Sequence, residues 1–370
     1  MLNEVIAPLA PEADQWSAVQ MWGLVNDIDA ARKDGSLPNN VATTVVAAMG
    51  EARPIGLVFS RPAQTQENGW SWDNHYQDEQ VMIEFCEDAI YVHACVNAEH
   101  TIIARMIVVF AILANFAAKN PISGVSILCS LGDSDGDHQI LSFSSRLHRD
   151  LLIPDPYFML TRSYEAERAY IDQNWIDLSS RDPRFYWRGA PSGMGKYENQ
   201  FDSQRVQLIR FANDPRHSEH FNVCFSNANG LDEKVRVALE AIGGFSRPED
   251  QMEITRYAFN IDVDGVSSSW TGFFLKLLVG APVLKITSDM GYRQWYYDEL
   301  VANRHYAVVA SDLSDFTTVS GNLTRDRAAA ELIGQAGRAL ALSFDLKSQI
   351  EKTESTVERA IASPLCVKQI

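Results

Sequence analysis

Hydrophobic and polar positions follow their clearest order between residues 256 and 310. Apolar runs alternate there with amphipathic segments, and the order along the chain is RYAFNIDV, WTGFFLKLLVG, APVLKIT, YRQWYYDELV and HYAVVA. Read as strand, helix, strand, helix and strand, they predict a parallel sheet with helices on its faces. A polar loop, DGVSSS, follows the first strand, at the edge where such sheets bind ligands.

Earlier parts of the chain give shorter signals of the same kind. GVSILCSL, residues 124–131, is typical of a buried strand and ends in the turn-rich loop GDSDGD. RFYWRGA and FNVCFSN also read as strands, and RSYEAERAYIDQNW reads as a helix that joins two domains. Residues 101–118 predict a buried helix, because the longest apolar run, MIVVFAILA, is far shorter than the roughly 20 residues that span a bilayer.

The length of 370 residues favours two domains. We place an N-terminal domain at residues 1–165 and a C-terminal domain at residues 166–345. From residue 324 onward the sequence reads as helical, and we expect the helix in residues 346–370 to return toward the first domain.

Charge and cysteine usage narrow the possible partners. The formal net charge of −16 opposes binding to nucleic acid and to anionic membranes, so an anionic ligand needs a local cluster of donors. The five cysteines are scattered, lack CxxC spacing and are typical of reduced thiols. The first residues do not resemble a secretory signal. We therefore expect a cytoplasmic protein.

Pairs of aspartates separated by one residue are the first candidate site. Asp262 and Asp264 form one such pair, and Asp133, Asp135 and Asp137 form two overlapping ones. An Asp-x-Asp pair after a strand can hold a divalent cation against a nucleotide diphosphate. The same residues also cap turns and helix starts with no metal. Both alternatives remain open from the pattern.

The stretch GVSSSW, which begins at Gly265, is the second candidate site. A glycine allows a close turn, and small serines leave the N–H groups at the following helix start accessible to a phosphate. An ordinary run of N-capping serines gives the same pattern.

Several motifs together resemble glycosyltransferase family 90, the capsule- and lipopolysaccharide-modifying transferases and protein O-glucosyltransferases. The motifs are FNIDVDGVSSSW, FFLKLLVGAPVLK, QWYYDEL, RHYAVVASDLSDF, YWRGAPSG, QRVQLI, SILCSLGDSD and LSFSS. They cover roughly residues 120–345. The resemblance implies an α/β, GT-B-like fold with two Rossmann-like domains that face a cleft. It also implies an inverting, metal-independent transfer from a UDP-sugar, with no further cofactor.

The same resemblance implies roles for individual residues. Asp133 falls at the catalytic base, with Asp135 as the alternative if the alignment slips by two. Residues expected to bind the donor are Arg188, Gly189, Ala190, Ser192, Arg205, Gly265, Val266, Ser267, Ser268 and Ser269. Arg205 falls at the diphosphate.

One position departs from the family pattern. The family usually has an arginine directly after the aromatic residue of the nucleotide loop, whereas Thr271 follows Trp270 here. Arg188, Lys196 or Lys276 could supply the missing cation.

We expect sugar transfer from a UDP-sugar to a hydroxyl of a glycan or glycolipid acceptor. A metal-dependent Asp-x-Asp transferase and a nucleotide-sugar-binding protein without turnover are the alternatives. The sequence identifies neither the sugar, the acceptor nor the oligomeric state.

Overall fold

The computed structural model describes residues 79–95, 99–136 and 139–363, the strand segments 42–45, 55–60 and 368–369, and residues 26 and 30. The chain forms two compact units. Unit 1 comprises Met1–Ser163 and Asp345–Ile370, and unit 2 comprises Tyr164–Phe344.

Unit 1 carries a mixed sheet in the order β1-β2-β4-β3-β5-β11. Its strands are β1 (Ala42–Val45), β2 (Ile55–Ser60), β3 (Gln80–Phe85), β4 (Ile90–Cys95), β5 (Val125–Ser130) and β11 (Lys368–Gln369). Only β2 and β4 pair in parallel among these described strands. The four residues between β3 and β4 are too few for a crossover, so these two strands must be antiparallel. In this respect unit 1 departs from the Rossmann-like arrangement expected of it.

Unit 2 is built on a parallel sheet in the order β10-β9-β8-β6-β7. Its strands are β6 (Asp182–Gly189), β7 (Phe221–Phe225), β8 (Tyr257–Asp262), β9 (Val283–Ile286) and β10 (Ala307–Val309). All four pairings are parallel. The α/β class predicted from the sequence is confirmed.

Helices accompany both sheets. The described α-helices are α1 (His100–Lys119), α2 (Pro156–Leu160), α3 (Glu165–Gln173), α4 (Gln204–Ala212), α5 (Glu233–Glu240), α6 (Thr271–Leu278), α7 (Phe316–Arg325), α8 (Arg327–Ser343) and α9 (Leu346–Ala362). Within unit 1, α9 packs against α1 and β5. In the part of the chain that the structure describes, no helix has the length and apolar character needed to cross a membrane.

The helix predicted at residues 292–301 is wrong. Only a short 3₁₀ turn, Tyr297–Glu299, forms there. Tyr296 is fully buried, and its ring lies 5.2 Å from that of Phe274 and 6.0 Å from that of Phe344. Aromatic residues have modest helix propensity, so burial of their rings decides the local conformation.

The sheet of unit 2 reverses its winding between β6 and β8. Numbered along the chain, its strands lie in the order 2-1-3-4-5. The chain leaves β6 toward β7 on one side, and it leaves β8 toward β9 on the other. Open parallel sheets bind ligands at the carboxyl ends of the strands beside such a switch point. We therefore expect a ligand-binding site at the loops that follow β6 and β8.

Two arginines fix the carboxyl end of α6. Arg338 donates to the carbonyl of Leu278, and both terminal nitrogens of Arg181 donate to that of Val279 at 3.3 Å. Their guanidinium groups lie 4.8 and 5.1 Å from the ring centre of Trp175. Carbonyls at a helix end have no partner within the helix, so these bonds satisfy groups that would otherwise be unpaired.

Candidate functional site

The loops after β6 and β8 touch through their backbones. Gly193 has φ +79°, and a side chain there would collide with the carbonyl of Gly265. A Cβ on Gly265 would lie 2.5 Å from Oγ of Ser192 and 2.7 Å from Nη2 of Arg205. Both glycines are therefore required by a close approach of the two loops at the switch point.

Arg205, at the start of α4, holds these loops together. Its Nε donates to the carbonyl of Asp264 at 2.8 Å, and its Nη1 donates to the carbonyl of Ala190 at 2.5 Å and to Oγ of Ser192 at 2.6 Å. Burial lowers the pKa of Arg205 to about 10, which still leaves it charged at neutral pH. The structure thus joins Arg205, Ala190 and Ser192, three of the residues predicted to bind the donor.

A buried ion network lies at the end of β8. Asp262 is fully buried; its Oδ1 lies 2.8 Å from Nζ of Lys276, and its Oδ2 lies 2.6 Å from Nζ of Lys285. Lys285 also bridges to Asp264 at 2.5 Å. Ser269 donates from Oγ to both carboxylate oxygens of Asp262 at 2.8 Å. Each carboxylate of this Asp-x-Asp pair therefore already has an ammonium partner.

The two lysines differ in how well their charges are balanced. Burial opposes the charged form of both. It lowers the pKa of Lys276, which shares Asp262 with the second lysine. In Lys285, contact with Asp262 and Asp264 outweighs burial, and its pKa is raised. Burial alone would raise the pKa of Asp262, but the two lysines outweigh it and the pKa falls.

Arg205, Lys276 and Lys285 are opposed by two carboxylates, those of Asp262 and Asp264. The cluster therefore carries one net positive charge in a chain whose net charge is −16. Such a cluster is a local exception that favours an anion at this edge of the sheet.

A pocket of about 290 Å³ opens at this edge, entirely within unit 2. It is lined by Tyr186, Arg188, Gly189, Ser226, Pro248, Glu249, Asp250, Gln251, Ile254, Thr271, Gly272, Leu275 and Lys276. The lining therefore includes the ends of β6 and β7 and the first turn of α6. Arg188 and Gly189 are the two predicted donor-binding residues among those that line it.

The carboxylate of Glu249 lines the pocket and is held in place by neighbouring side chains. Tyr186 donates from its hydroxyl to Oε2 of Glu249 at 2.6 Å, and Nε of Arg188 lies 3.2 Å from the same oxygen. Arg188 also donates to Oδ1 of Asn222 at 2.6 Å. Glu249 keeps 34% of its side chain exposed, so a fixed hydrogen-bond acceptor faces the pocket. Its loop, GFSRPEDQ, has no periodic pattern, so no motif in the sequence points to this residue.

The serine loop is more buried than expected for a phosphate cradle. Ser267 and Ser268 are 1% and 3% exposed, whereas Val266 is 38% exposed. Trp270 donates from Nε1 to Oγ of Ser267 at 3.0 Å and has φ +37°. The hydroxyls of Ser267 and Ser269 thus make contacts within the chain, directly before the first turn of α6.

The predicted base lies on unit 1. Asp133 follows β5, and its Oδ1 accepts a hydrogen bond from Nη2 of Arg105 at 2.9 Å. Its side chain is 37% exposed, whereas Asp135 is 1% exposed. Asp137 lies outside the described residues. Accessibility therefore favours Asp133 over Asp135 for contact with a substrate.

Among the described residues, no group of three or more His, Cys, Asp and Glu side chains is arranged to hold a metal ion.

Comparison with known proteins gives partial structural likenesses. No protein-family model matches the chain, and no curated protein matches it in sequence. The chain is similar to HepE (Alr3699) of Anabaena, solved in complex with UDP-glucose, at 11% identity and a TM-score of 0.34 over 53% of each chain. It is similar to the pneumococcal O-GlcNAc transferase GtfA, solved with UDP and GlcNAc, at 12% identity and a TM-score of 0.32 over 49% of this chain and 36% of that one. A glycosyltransferase of Rickettsia africae gives 10% identity and a TM-score of 0.33 over 54% and 52%. The chain spans about half or less of the length of these proteins.

Proposed function

We propose that this protein is a glycosyltransferase that transfers a sugar from a UDP-sugar to a hydroxyl of a glycan or glycolipid acceptor. The observation that carries the proposal is the pocket beside the topological switch point of unit 2, whose lining includes Lys276, a member of the cluster of net positive charge. A nucleoside diphosphate supplies the matching anion. The choice of UDP follows the resemblance to family 90.

The residues that line the pocket can contact both the sugar hydroxyls and the diphosphate of such a ligand. The carboxylate of Glu249, fixed by Tyr186 and Arg188, accepts hydrogen bonds from hydroxyl groups, which a ribose or hexose supplies. The lining also contains Gly272 and Lys276, in the first turns of α6. The helix dipole favours negative charge there.

The proposed reaction is a single displacement with inversion at the anomeric carbon. Asp133 takes the proton from the acceptor hydroxyl while the acceptor oxygen bonds to the anomeric carbon. The bond from the anomeric carbon to the diphosphate breaks, and UDP leaves with the electron pair. The positive cluster stabilises the charge that develops on the leaving group.

A direct test is calorimetry of the full chain with UDP, followed by assay of UDP release from a panel of UDP-sugars with glycan acceptors. Micromolar UDP binding with acceptor-dependent release is the expected result. Binding without release would favour the nucleotide-sugar-binding alternative. A wild-type protein that binds no UDP or UDP-sugar would overturn the proposal.

Arg205→Ala is expected to weaken UDP binding by about tenfold or more, because the loops after β6 and β8 lose the bonds that join them. Charge-assisted hydrogen bonds are worth about 1.5–3 kcal/mol each. Arg210→Ala is the matched control, since Arg210 lies on the same helix and is exposed. Equal UDP affinities in the two variants, measured by calorimetry, would contradict a role for Arg205.

Activity is expected to persist in excess EDTA. Asp262 and Asp264 are bound by lysine ammonium groups, so a divalent cation would have to displace Lys276 or Lys285 to use this pair. The measurement is the rate of sugar transfer before and after chelation. Loss of the rate, with recovery on adding Mn²⁺ or Mg²⁺, would favour the metal-dependent alternative.

A further inference from the structure

We infer that Lys276 is the residue that contacts the donor diphosphate, in place of the arginine that the family pattern has after Trp270. This inference rests on the proposed function. Lys276 lies on α6, six residues beyond Trp270, and it is one of the residues that line the pocket.

The position of Lys276 separates it from the other cations of the site. Lys276 and Arg188 are the two cationic residues among those that line the pocket. Arg188 is bound to Glu249 and to both the carbonyl and the side chain of Asn222. Lys285 does not line the pocket; it lies between Asp262 and Asp264, with its ammonium 5.1 Å from the ring centre of Phe273.

Arg205 and Lys196 are directed to the loops instead of the pocket. Arg205 donates to the carbonyls of Asp264 and Ala190. Nζ of Lys196 lies 3.5 Å from the carbonyl of Gly265 and 4.7 Å from the ring centre of Tyr292. Neither residue lines the pocket.

Lys276 also has donors to offer. An ammonium group has three N–H bonds, and Lys276 donates one of them to Oδ1 of Asp262 at 2.8 Å. The residue is 6% exposed, and it shares Asp262 with Lys285. A phosphate oxygen would supply the second anionic partner that this buried charge lacks.

The surrounding backbone leaves room for this contact. Gly272 lies one helical turn before Lys276, and a Cβ at Gly272 would lie 3.5 Å from the ammonium nitrogen. A side chain at this position would therefore take up space beside the ammonium group. Glycine leaves that space free.

The test compares UDP with uridine, which has the same nucleoside and no phosphate. Lys276→Gln is expected to lower the affinity for UDP by about tenfold or more and to leave the affinity for uridine unchanged. A purely structural role would weaken both ligands equally. Lys196→Gln is the matched control and is expected to keep the wild-type preference for UDP over uridine.

Gly272→Ala provides a second variant that leaves the ion network intact. Its methyl group meets neighbours at ordinary contact distances of 3.5 to 3.9 Å, so folding is expected to be unaffected. Its UDP preference is expected to fall as in Lys276→Gln. Calorimetry that finds the wild-type preference in Gly272→Ala, or in a folded Lys276→Gln, overturns the inference while the proposed function stands. Failure of the wild type to bind UDP overturns the proposed function itself.

Discussion

Asp262→Asn is expected to lower the free energy of unfolding by about 3–5 kcal/mol, the usual cost of breaking a buried ion pair from one side. The substitution keeps the shape of the side chain but removes the charge that faces Lys276 and Lys285. Lys276 then loses the carboxylate that it pairs with, and Lys285 keeps only Asp264. Urea unfolding of the variant and the wild type, followed by circular dichroism, measures the difference.

Asp182→Asn is the control for this effect. Asp182 pairs with Arg184 at 2.6 Å on the same sheet, but its side chain is 30% exposed. A partly exposed pair is worth about 0–1 kcal/mol, so this variant should unfold nearly as the wild type does. Equal losses of stability in the two variants would show that burial of the network does not raise the cost of removing its carboxylate charge.

The effect of Asp262→Asn also has a defined pH dependence. The pKa of Asp262 is lowered in the folded state by Lys276 and Lys285, against the opposing effect of burial. Its charge therefore stabilises the fold above the pKa of the unfolded state, about 3.9. The stability difference between wild type and variant should be complete at neutral pH and should shrink as the pH falls below about 4.

Asp133→Asn is expected to lower turnover by about 10² to 10⁴, the usual contribution of a positioned general base. Asparagine can still accept the hydrogen bond from Arg105, so the fold and UDP binding should be preserved. The measurements are the rate of UDP release at saturating donor and acceptor, and calorimetry with UDP. A change in turnover without a change in UDP affinity separates a role in catalysis from one in donor binding.

Asp135→Asn should cost much less turnover, because Asp135 is 1% exposed and has little access to an acceptor. The carboxylate of Glu79 lies against Gly132, beside Asp133. If Asp133→Asn transfers sugar at the wild-type rate, the assignment of the base is wrong. Asp135→Asn and Glu79→Gln are then the next variants to assay.

The parallel sheet of unit 2 was predictable because strands and helices alternate along its sequence. Its inner strands β8 and β9 are buried at every residue, and most of their residues are apolar. Periodicity does not report the direction of pairing, so the antiparallel hairpin of β3 and β4 follows only from the strand bounds and the short connection between them. Residues 292–301 have the length of a helix, but their aromatic rings are held by tertiary contacts that the local pattern does not encode.

In the candidate site, too, local features were predictable and contacts that depend on the fold were not. The sequence pattern predicts DGVSSS at a ligand-binding edge of the sheet, because a loop that follows a strand is a local feature. The partners of Asp262 were not visible, because Lys276 and Lys285 are 14 and 23 residues away and their pairing depends on the packing of α6 and β9 against β8. Arg205 was singled out by resemblance, but its bonds to the carbonyls of Ala190 and Asp264 needed the three-dimensional structure.

The arginines at the carboxyl end of α6 have a consequence for ligand binding at its opposite end. Because Arg181 and Arg338 already hold the carbonyls of Val279 and Leu278, the helix cannot slide along its axis without breaking these bonds. Its first turn therefore stands in position before a ligand arrives. Ordering of mobile groups is one of the main entropic costs of association. A preorganised helix avoids that cost, so more of the interaction proposed between a diphosphate and Lys276 would be retained as affinity.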